Sequence, residues 1–327
     1  MKVAIIGAGI CGLYLAWKLA EKGHSVIVFE KKEKIGKEVC SGLFSEKILE
    51  FIPQSQKLIQ NQIEYCLIHF PRRTLKIKFS RKFLVMSHYE LDRLVVSLAE
   101  KSGAKIILSH NVSKSDFDRL KNEFDRIIGC DGPNSIVRKS LGLSEPSYRL
   151  GIQGFISKND SASFVETWPT KSGFIWKIPR TGAPATREAL ASRRGGEIEY
   201  GIIEKPAQAK KLFDEFSKKN NLHLERIELA LVPQGLIIPK NSSITLCGDA
   251  TGLTKPWSGG GVVWSLIAAD ILLKNFPDFL KYQKEMKKNF LPKILFSKIV
   301  TKLVYFLGFN FPWLLPENYK IESDFLL

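Results

Sequence analysis

Residues 2–30 read KVAIIGAGICGLYLAWKLAEKGHSVIVFE, and two meanings fit their first half. A lysine ahead of an uncharged run from Val3 to Trp17 is the pattern of a secretion signal or a membrane anchor. That run stops short of the roughly 18–20 apolar residues a spanning helix needs. The charged turn Lys18–Lys22 does not fit a small-residue cleavage site. The other meaning is a strand, a glycine turn and a helix. Val3–Ile6 suits a buried parallel strand. Gly7, Gly9 and Gly12 then form G-x-G-x-x-G, in which the first glycine permits a tight turn. The second admits a pyrophosphate to the backbone, and the third lets the helix pack close to the strand. Leu13, Leu15, Ala16 and Leu19 supply the helix's packing face, and its N-terminus offers free N–H groups to phosphates. Ser25–Phe29 reads as a second strand ending in Glu30, an acid about 20 residues past the glycines that is expected to bind a ribose hydroxyl pair.

The chain has 327 residues, enough for two domains and a terminal appendage. Its 44% hydrophobic content is that of a globular protein with a sizeable core. Lys and Arg number 49 against 33 Asp and Glu, a formal charge of +16. Such a balance favours anionic partners. No nucleic-acid motif is present, which leaves acidic lipid surfaces or phosphorylated substrates; the lysines are spread along the chain, and the plainer reading is a lysine-rich proteome. Cysteines stand at 11, 40, 66, 130 and 247. The odd count and the absence of metal-ligand spacing point to a reducing, cytoplasmic setting with no metal.

The glycines alone do not separate one dinucleotide from another. Residues 126–138 read RIIGCDGPNSIVR: an apolar strand runs into Asp131-Gly132, and a turn opens a short helix. Residues 244–270 read ITLCGDATGLTKPWSGGGVVWSLIAAD. Here a strand ends in Gly248-Asp249, and a loop with Pro256 and Gly259, Gly260 and Gly261 opens a helix at Val262. A carboxylate at a strand end can accept hydrogen bonds from the ribityl chain of a flavin. Glycines at a helix start bring backbone N–H groups close to the flavin ring. Three clustered glycines destabilise a chain unless they have such a use.

Together the three segments resemble the FAD-dependent oxidoreductases of the para-hydroxybenzoate hydroxylase fold, over most of residues 1–270. The resemblance implies an α/β protein: a Rossmann-like FAD-binding domain interrupted by a substrate domain with a mostly antiparallel β-sheet, plus C-terminal helices. The expected division is 1–60, 87–148 and 240–275 for FAD, 61–86 and 149–239 for substrate, and 276–327 for the C-terminal helical segment. Within that fold, EVCSGLFS at 38–45 is similar to the cysteine loop of the geranylgeranyl reductase branch, which sits against the flavin and here offers Cys40 and Ser41. GFIWKIP at 173–179 resembles the branch's Tyr-x-Trp-x-Phe-Pro strand, with Phe174 for tyrosine and Ile178 for phenylalanine; Trp176 and Pro179 keep the pattern. VMSHYELDRLVVSLA at 85–99 resembles a family helix that begins Arg-x-x-Phe-Asp. Asp92 matches the Asp, and His88 falls where the family's cofactor-contacting arginine stands.

What the resemblance implies is an FAD-dependent reductase of prenyl carbon–carbon double bonds on a lipid, served by NADPH or a ferredoxin-like carrier. An isolated alkene is a poor hydride acceptor. Reduction would deliver hydride to the more substituted carbon and a proton to the other, in a dry channel. Cys40 and Trp176 are the catalytic candidates, with packing or cofactor contact as the plainer role for Cys40 and sheet core for Trp176. Two rivals share the fold: a flavin monooxygenase of an aromatic substrate and a non-catalytic flavin electron-transfer protein. The insert RTGAPATREALASRRGG at 180–196 is rich in Ala and Arg and is either a loop over the substrate entrance or a sequence anomaly. After Phe276 the chain is helical in pattern, with Lys293, Lys298 and Lys302 among apolar residues and an aromatic segment from Phe309 to Leu315. It reads either as a helix packed on the sheet or as a basic amphipathic face lying peripherally on the inner membrane surface.

Overall fold

A computed structural model describes residues 1–36, 39–180 and 196–321. The strands are β1 (Lys2–Ile6), β2 (Ser25–Phe29), β3 (Leu43–Ser45), β4 (Ile59–Phe70), β5 (Arg73–Met86), β6 (Lys105–Ile107) and β7 (Arg126–Gly129). They continue as β8 (Ser147–Ser157), β9 (Phe164–Pro169), β10 (Phe174–Arg180), β11 (Glu197–Glu204), β12 (Glu225–Gln234), β13 (Ile244–Leu246) and β14 (Asn318–Ile321). The helices are α1 (Ile10–Glu21), α2 (Ile48–Phe51), α3 (His88–Lys101), α4 (Lys114–Glu123), α5 (Ile136–Ser140), α6 (Pro206–Lys219), α7 (Val262–Asn275) and α8 (Phe279–Asn310).

The strands form two sheets. The first has the order β13-β7-β1-β2-β6, and every pairing in it is parallel. Alternate residues of β1 feed different cores, as a strand's period of two requires. Val3 and Ile5 join α1, α3, α7 and the start of α8 on one face, while Ala4 and Ile6 join Phe117, Leu120 and Val137 on the other. A sheet covered on both faces explains why its strands are short continuous apolar runs.

The second sheet runs β12-β8-β11-β10-β9-β4-β5-β14, with β3 added on β5. It is antiparallel apart from β4 with β9 and β5 with β14. Helix α6 covers part of one face, where Ala209 and Phe213 meet Ile152, Ile175 and Ile202. Residues 181–195, most of the Ala/Arg-rich insert at 180–196, lie outside the described residues.

Helix α8 links the two cores. Its first half buries Phe279, Tyr282, Met286 and Phe290 beside the parallel sheet. Its second half lays Val304 and Leu307 on the antiparallel sheet. Gly308 is the point of closest approach: a Cβ there would stand 2.2 Å from the ring of Phe70, which is itself buried in the sheet core. Overfilling such a contact costs about 1–3 kcal/mol. Gly308→Val is therefore expected to lower the unfolding free energy by about that amount, read as a reduced urea midpoint, and to leave the secondary-structure content unchanged.

Candidate active site

A cavity of about 510 Å3 opens at the carboxyl ends of the parallel strands and continues across the face of the antiparallel sheet. This is where an open α/β sheet binds ligands, because the chain leaves β1 on one side while β7 lies on the other. Gly7 has φ +101°, and a Cβ on it would meet the carbonyl oxygen of Cys130 at 2.4 Å. A Cβ on Gly12 would meet the carbonyl oxygen of Gly7 at 2.1 Å, whereas one on Gly9 would have nothing within 4 Å. The first and third glycines let the turn and helix pack, and the second leaves room for a ligand. No side chain caps α1, and its first turn has no acid, so its leading N–H groups remain available for an anion.

Glu30 is fixed beside this turn. Its Oε2 accepts the Ala8 N–H at 2.7 Å and its Oε1 accepts the Lys32 N–H at 3.0 Å. A carboxylate has about four acceptor positions, so two remain for a diol. Asp131 Oδ2 accepts the N–H groups of Ile136 at 2.6 Å and Val137 at 3.3 Å. Its Oδ1 is buried and has no hydrogen-bond partner among the described residues; burial raises the Asp131 pKa above the ordinary carboxylate value. On the opposite side, a Cβ on Gly261 would stand 3.0 Å from Asp249 Oδ1, so the strand-end acid and the glycine run face each other. Helix α7 begins there with no side-chain cap.

Of the residues expected at a cofactor, Gly7, Gly9, Glu30, Cys40, Ser41, His88, Asp131, Gly132, Asp249, Gly259, Gly260, Gly261 and Val262 line this one cavity, as does Trp176. Gly12, Gly248 and Pro256 stand behind it. Gly248 has φ +68° and backs onto Cys11, and the Pro256 carbonyl accepts from Arg149. Wholly buried Arg138 ties two of the loops together by donating to the carbonyls of Pro133 at 2.6 Å and Ala250 at 2.8 Å.

At the other end the walls are apolar: Cys66, Phe79, Phe83, Val165, Phe174, Ile178 and Ile203. The ring of Trp176 lies over Gly201, where a Cβ would be 2.1 Å from it. The indole Nε1 donates to Glu199 Oε1 at 2.9 Å. Arg180 Nε donates to Glu199 Oε2 at 3.0 Å, and its Nη2 donates to the Ser41 carbonyl at 2.7 Å. Burial raises the pKa of the Glu199 carboxyl against the opposing pull of Arg180 and Trp176. One buried carboxylate thus couples the Trp176 wall to the Cys40 loop. Motif reading missed Glu199 and Arg180. The available signal was an acid near the start of β11, directly across from Ile178 of β10.

His88 is the first residue of α3, whose N-cap is Ser87. It is 5% exposed and Asp92 1% exposed, with His88 Nε2 at 3.4 Å from Asp92 Oδ1. Farther along, Phe174 packs on Trp257 with ring centres 5.0 Å apart. Trp257 Nε1 donates to the Tyr305 hydroxyl at 2.8 Å, and that hydroxyl donates to the Gly173 carbonyl at 2.8 Å. Helix α8 thereby braces the far end of the chamber.

Residues 5–42 match the family model of an NAD(P)-binding Rossmann-like domain. The chain is 26% identical over 302 residues to digeranylgeranylglycerophospholipid reductase of Methanocella arvoryzae, covering 80% of this chain and 73% of that protein. In fold it is similar to a geranylgeranyl bacteriochlorophyll reductase-like protein of Thermoplasma acidophilum, at TM-score 0.73 and 19% identity, over 92% of this chain and 86% of the other. A flavin-dependent halogenase of Xanthomonas campestris aligns at TM-score 0.70 and 13% identity, over 91% and 76% of the two chains. The chain therefore has the Rossmann-containing α/β fold of these proteins, and over most of its length its sequence is similar to digeranylgeranylglycerophospholipid reductases.

Proposed function

We propose that this protein is an FAD-dependent reductase that saturates carbon–carbon double bonds of a prenyl chain carried on a lipid. The observation that carries the reading is the continuity of the cavity. Dinucleotide-type loops at Gly7, Glu30, Asp131 and Gly259–Gly261 open directly into an apolar chamber walled by Phe79, Phe83, Val165, Trp176 and Ile178. The residues fit the cofactor. Gly9 leaves room at the pyrophosphate turn, Asp131 Oδ1 is a buried acceptor in want of a donor, and the run Gly259–Gly261 presents bare backbone to the cavity. Glu30 would hold the adenosine ribose and Asp249 the ribityl hydroxyls. When bound and reduced, FAD supplies hydride to the alkene.

The chain's own residues do the rest. The apolar walls exclude water, which would compete for a reactive carbon centre. Trp176, held by Glu199, gives a flat face against which an isoprenoid chain lies. The Cys40 loop, held by Arg180, keeps a thiol at the junction of cofactor loops and chamber. An aromatic monooxygenase or an electron carrier would share the dinucleotide loops. The apolar chamber and the linked Cys40–Trp176 wall favour the reductase. The reductant is proposed to be external, NADPH or a ferredoxin-like carrier.

A lipid substrate also gives α8 a use. Leu291, Leu295, Ile299, Leu303 and Phe306 follow one another at helical spacing and are 49–62% exposed. Trp313 and Leu314, at 61% and 62%, extend the patch. Lys293, Lys298 and Lys302 are exposed on the same helix. Among the described residues no helix is long and apolar enough to cross a membrane. We assign this face to peripheral contact with the anionic inner surface of the cell membrane, leaving the body of the protein on the cytoplasmic side.

Three outcomes are expected. Denaturing the purified protein should release FAD, and Asp249→Ala should weaken FAD binding by about 1–3 kcal/mol, roughly tenfold to a hundredfold in affinity; recovery of NAD alone would refute the cofactor. Prenyl lipids incubated anaerobically with the chemically reduced protein should gain two mass units per double bond by mass spectrometry, and unchanged lipids would refute the reaction. The protein should float with anionic vesicles, less so at high salt because each lysine near the surface contributes about 1 kcal/mol of screened attraction. Leu295→Asp together with Ile299→Asp should abolish flotation; equal flotation of the variant would remove α8 from the contact.

A further inference from the structure

We propose that Lys255 answers the negative charge that the flavin ring takes up on reduction: its buried ammonium, at the glycine run, raises the reduction potential of the bound cofactor. The proposal rests on the FAD-dependent reading above and adds the group that stabilises the reduced form. Motif reading does not single this lysine out.

The backbone of Lys255 is locked into the loop that precedes α7. Its N–H donates to the Gly260 carbonyl at 3.1 Å, and its carbonyl accepts the Gly259 N–H at 2.9 Å. From the end of β12, the Gln234 side-chain amide donates to the same carbonyl at 3.3 Å. The side chain follows the glycine run: a Cβ on Gly260 would stand 3.9 Å from Lys255 Cδ. Among the described residues, the other lysines lining the cavity are Lys31, Lys32 and Lys34, all exposed in the stretch after Glu30. Lys255 also lines the cavity but is 5% exposed. A lysine is seldom buried so deeply without anions to answer it.

Two-electron reduction of a flavin at neutral pH adds one proton and leaves a negative charge, shared between N1 and the C2 carbonyl oxygen. Charge near that edge tunes the ring's electronics. Beside an apolar chamber the new charge is costly, because little water is there to solvate it. The uncapped start of α7 offers backbone N–H groups and a partial positive charge. Asp249, across from Gly261, opposes them with a carboxylate. A full positive charge on the same run offsets that carboxylate, and in a dry site it acts with less screening than in water. The reduced ring is then bound more tightly than the oxidised ring. By linkage, that difference in affinity is a higher reduction potential, and an external reductant loads the site more readily.

The test is the affinity of the flavin-bound protein for sulfite, read by bleaching of the flavin absorbance, together with the two-electron potential against a reference dye at fixed pH. Sulfite forms an S–N5 bond with its lone pair and pushes a ring electron pair to the N1 edge. The adduct therefore carries the same charge as the reduced ring with no reductant present. Lys255→Met should weaken sulfite binding by about tenfold or more and lower the potential by at least about 30 mV, the same tenfold expressed for two electrons. Lys255→Arg keeps the charge and should retain most of both. Affinity for oxidised FAD should change little in either variant, whereas a lysine that only braces the loop would lose oxidised FAD as well. A folded Lys255→Met protein with the wild-type sulfite affinity and potential overturns the proposal, as does an equal loss in folded Lys255→Arg. A wild-type potential at or below that of free FAD overturns it even if Lys255→Met fails to fold. A tenfold effect in a protein that reduces no prenyl lipid upholds the role of Lys255 and overturns the reductase reading alone.

Discussion

Glu199 carries a carboxylate with no access to solvent, and both halves of the site depend on it. An isolated charge in that position would cost several kcal/mol. It is tolerated because Arg180 and Trp176 donate to its two oxygens. Each donor has a second task. Trp176 forms the chamber wall, and Arg180 reaches across to the carbonyl of Ser41. Gly42 makes that reach feasible: its φ is +62°, and a Cβ would stand 3.0 Å from Arg180 Nη2. The loop that presents Cys40 is therefore tied to the wall opposite it by one buried charge rather than by packing alone.

The two sheets meet this constraint from different sides. The parallel sheet is buried on both faces, so its functional groups lie only at strand ends, where backbone N–H groups and strand-end acids converge. The antiparallel sheet has a free face, and that face becomes the chamber. Helix α8 fixes their separation, since one continuous helix contributes to both cores. The hydrogen-bonded chain Trp257–Tyr305–Gly173 pins its second half to the chamber end.

The glycine turn, four strands of the parallel sheet and β10 were legible in the sequence because each is a local pattern. G-x-G-x-x-G constrains a handful of consecutive residues, and period-two alternation survives in β4 and the first half of β5. The pairing of Glu199 with Arg180 was not legible, since it depends on a cross-strand register that no single segment records. His88 shows the intermediate case. Its spacing from Asp92 is visible in the chain, but a histidine at a helix start usually reads as a surface or cap residue. Only the structure shows it buried in the cavity wall, with the ring of Phe44 edge-on to it. The tail was read as either packed or membrane-facing, and α8 has one face that packs on both cores and another that is exposed and apolar.

That division has a consequence for how a prenyl chain would reach the chamber. Moving an isoprenoid tail through water costs about 0.8 kcal/mol for each CH2 group exposed, so a free aqueous route is prohibitive for a long chain. Moving it from a bilayer into an apolar chamber is nearly neutral, because both surroundings are equally dry. Selection must then come from shape and from the reacting centre, not from hydrophobicity. The chamber entrance must also adjoin the bilayer. Tyr305 braces the chamber end from the inner side of α8, and Leu303 and Phe306 are exposed within a turn of it on the same helix. On the proposed membrane-facing reading, Trp257 and the single thickness of α8 would stand between the chamber end and the lipid from which a prenyl chain enters.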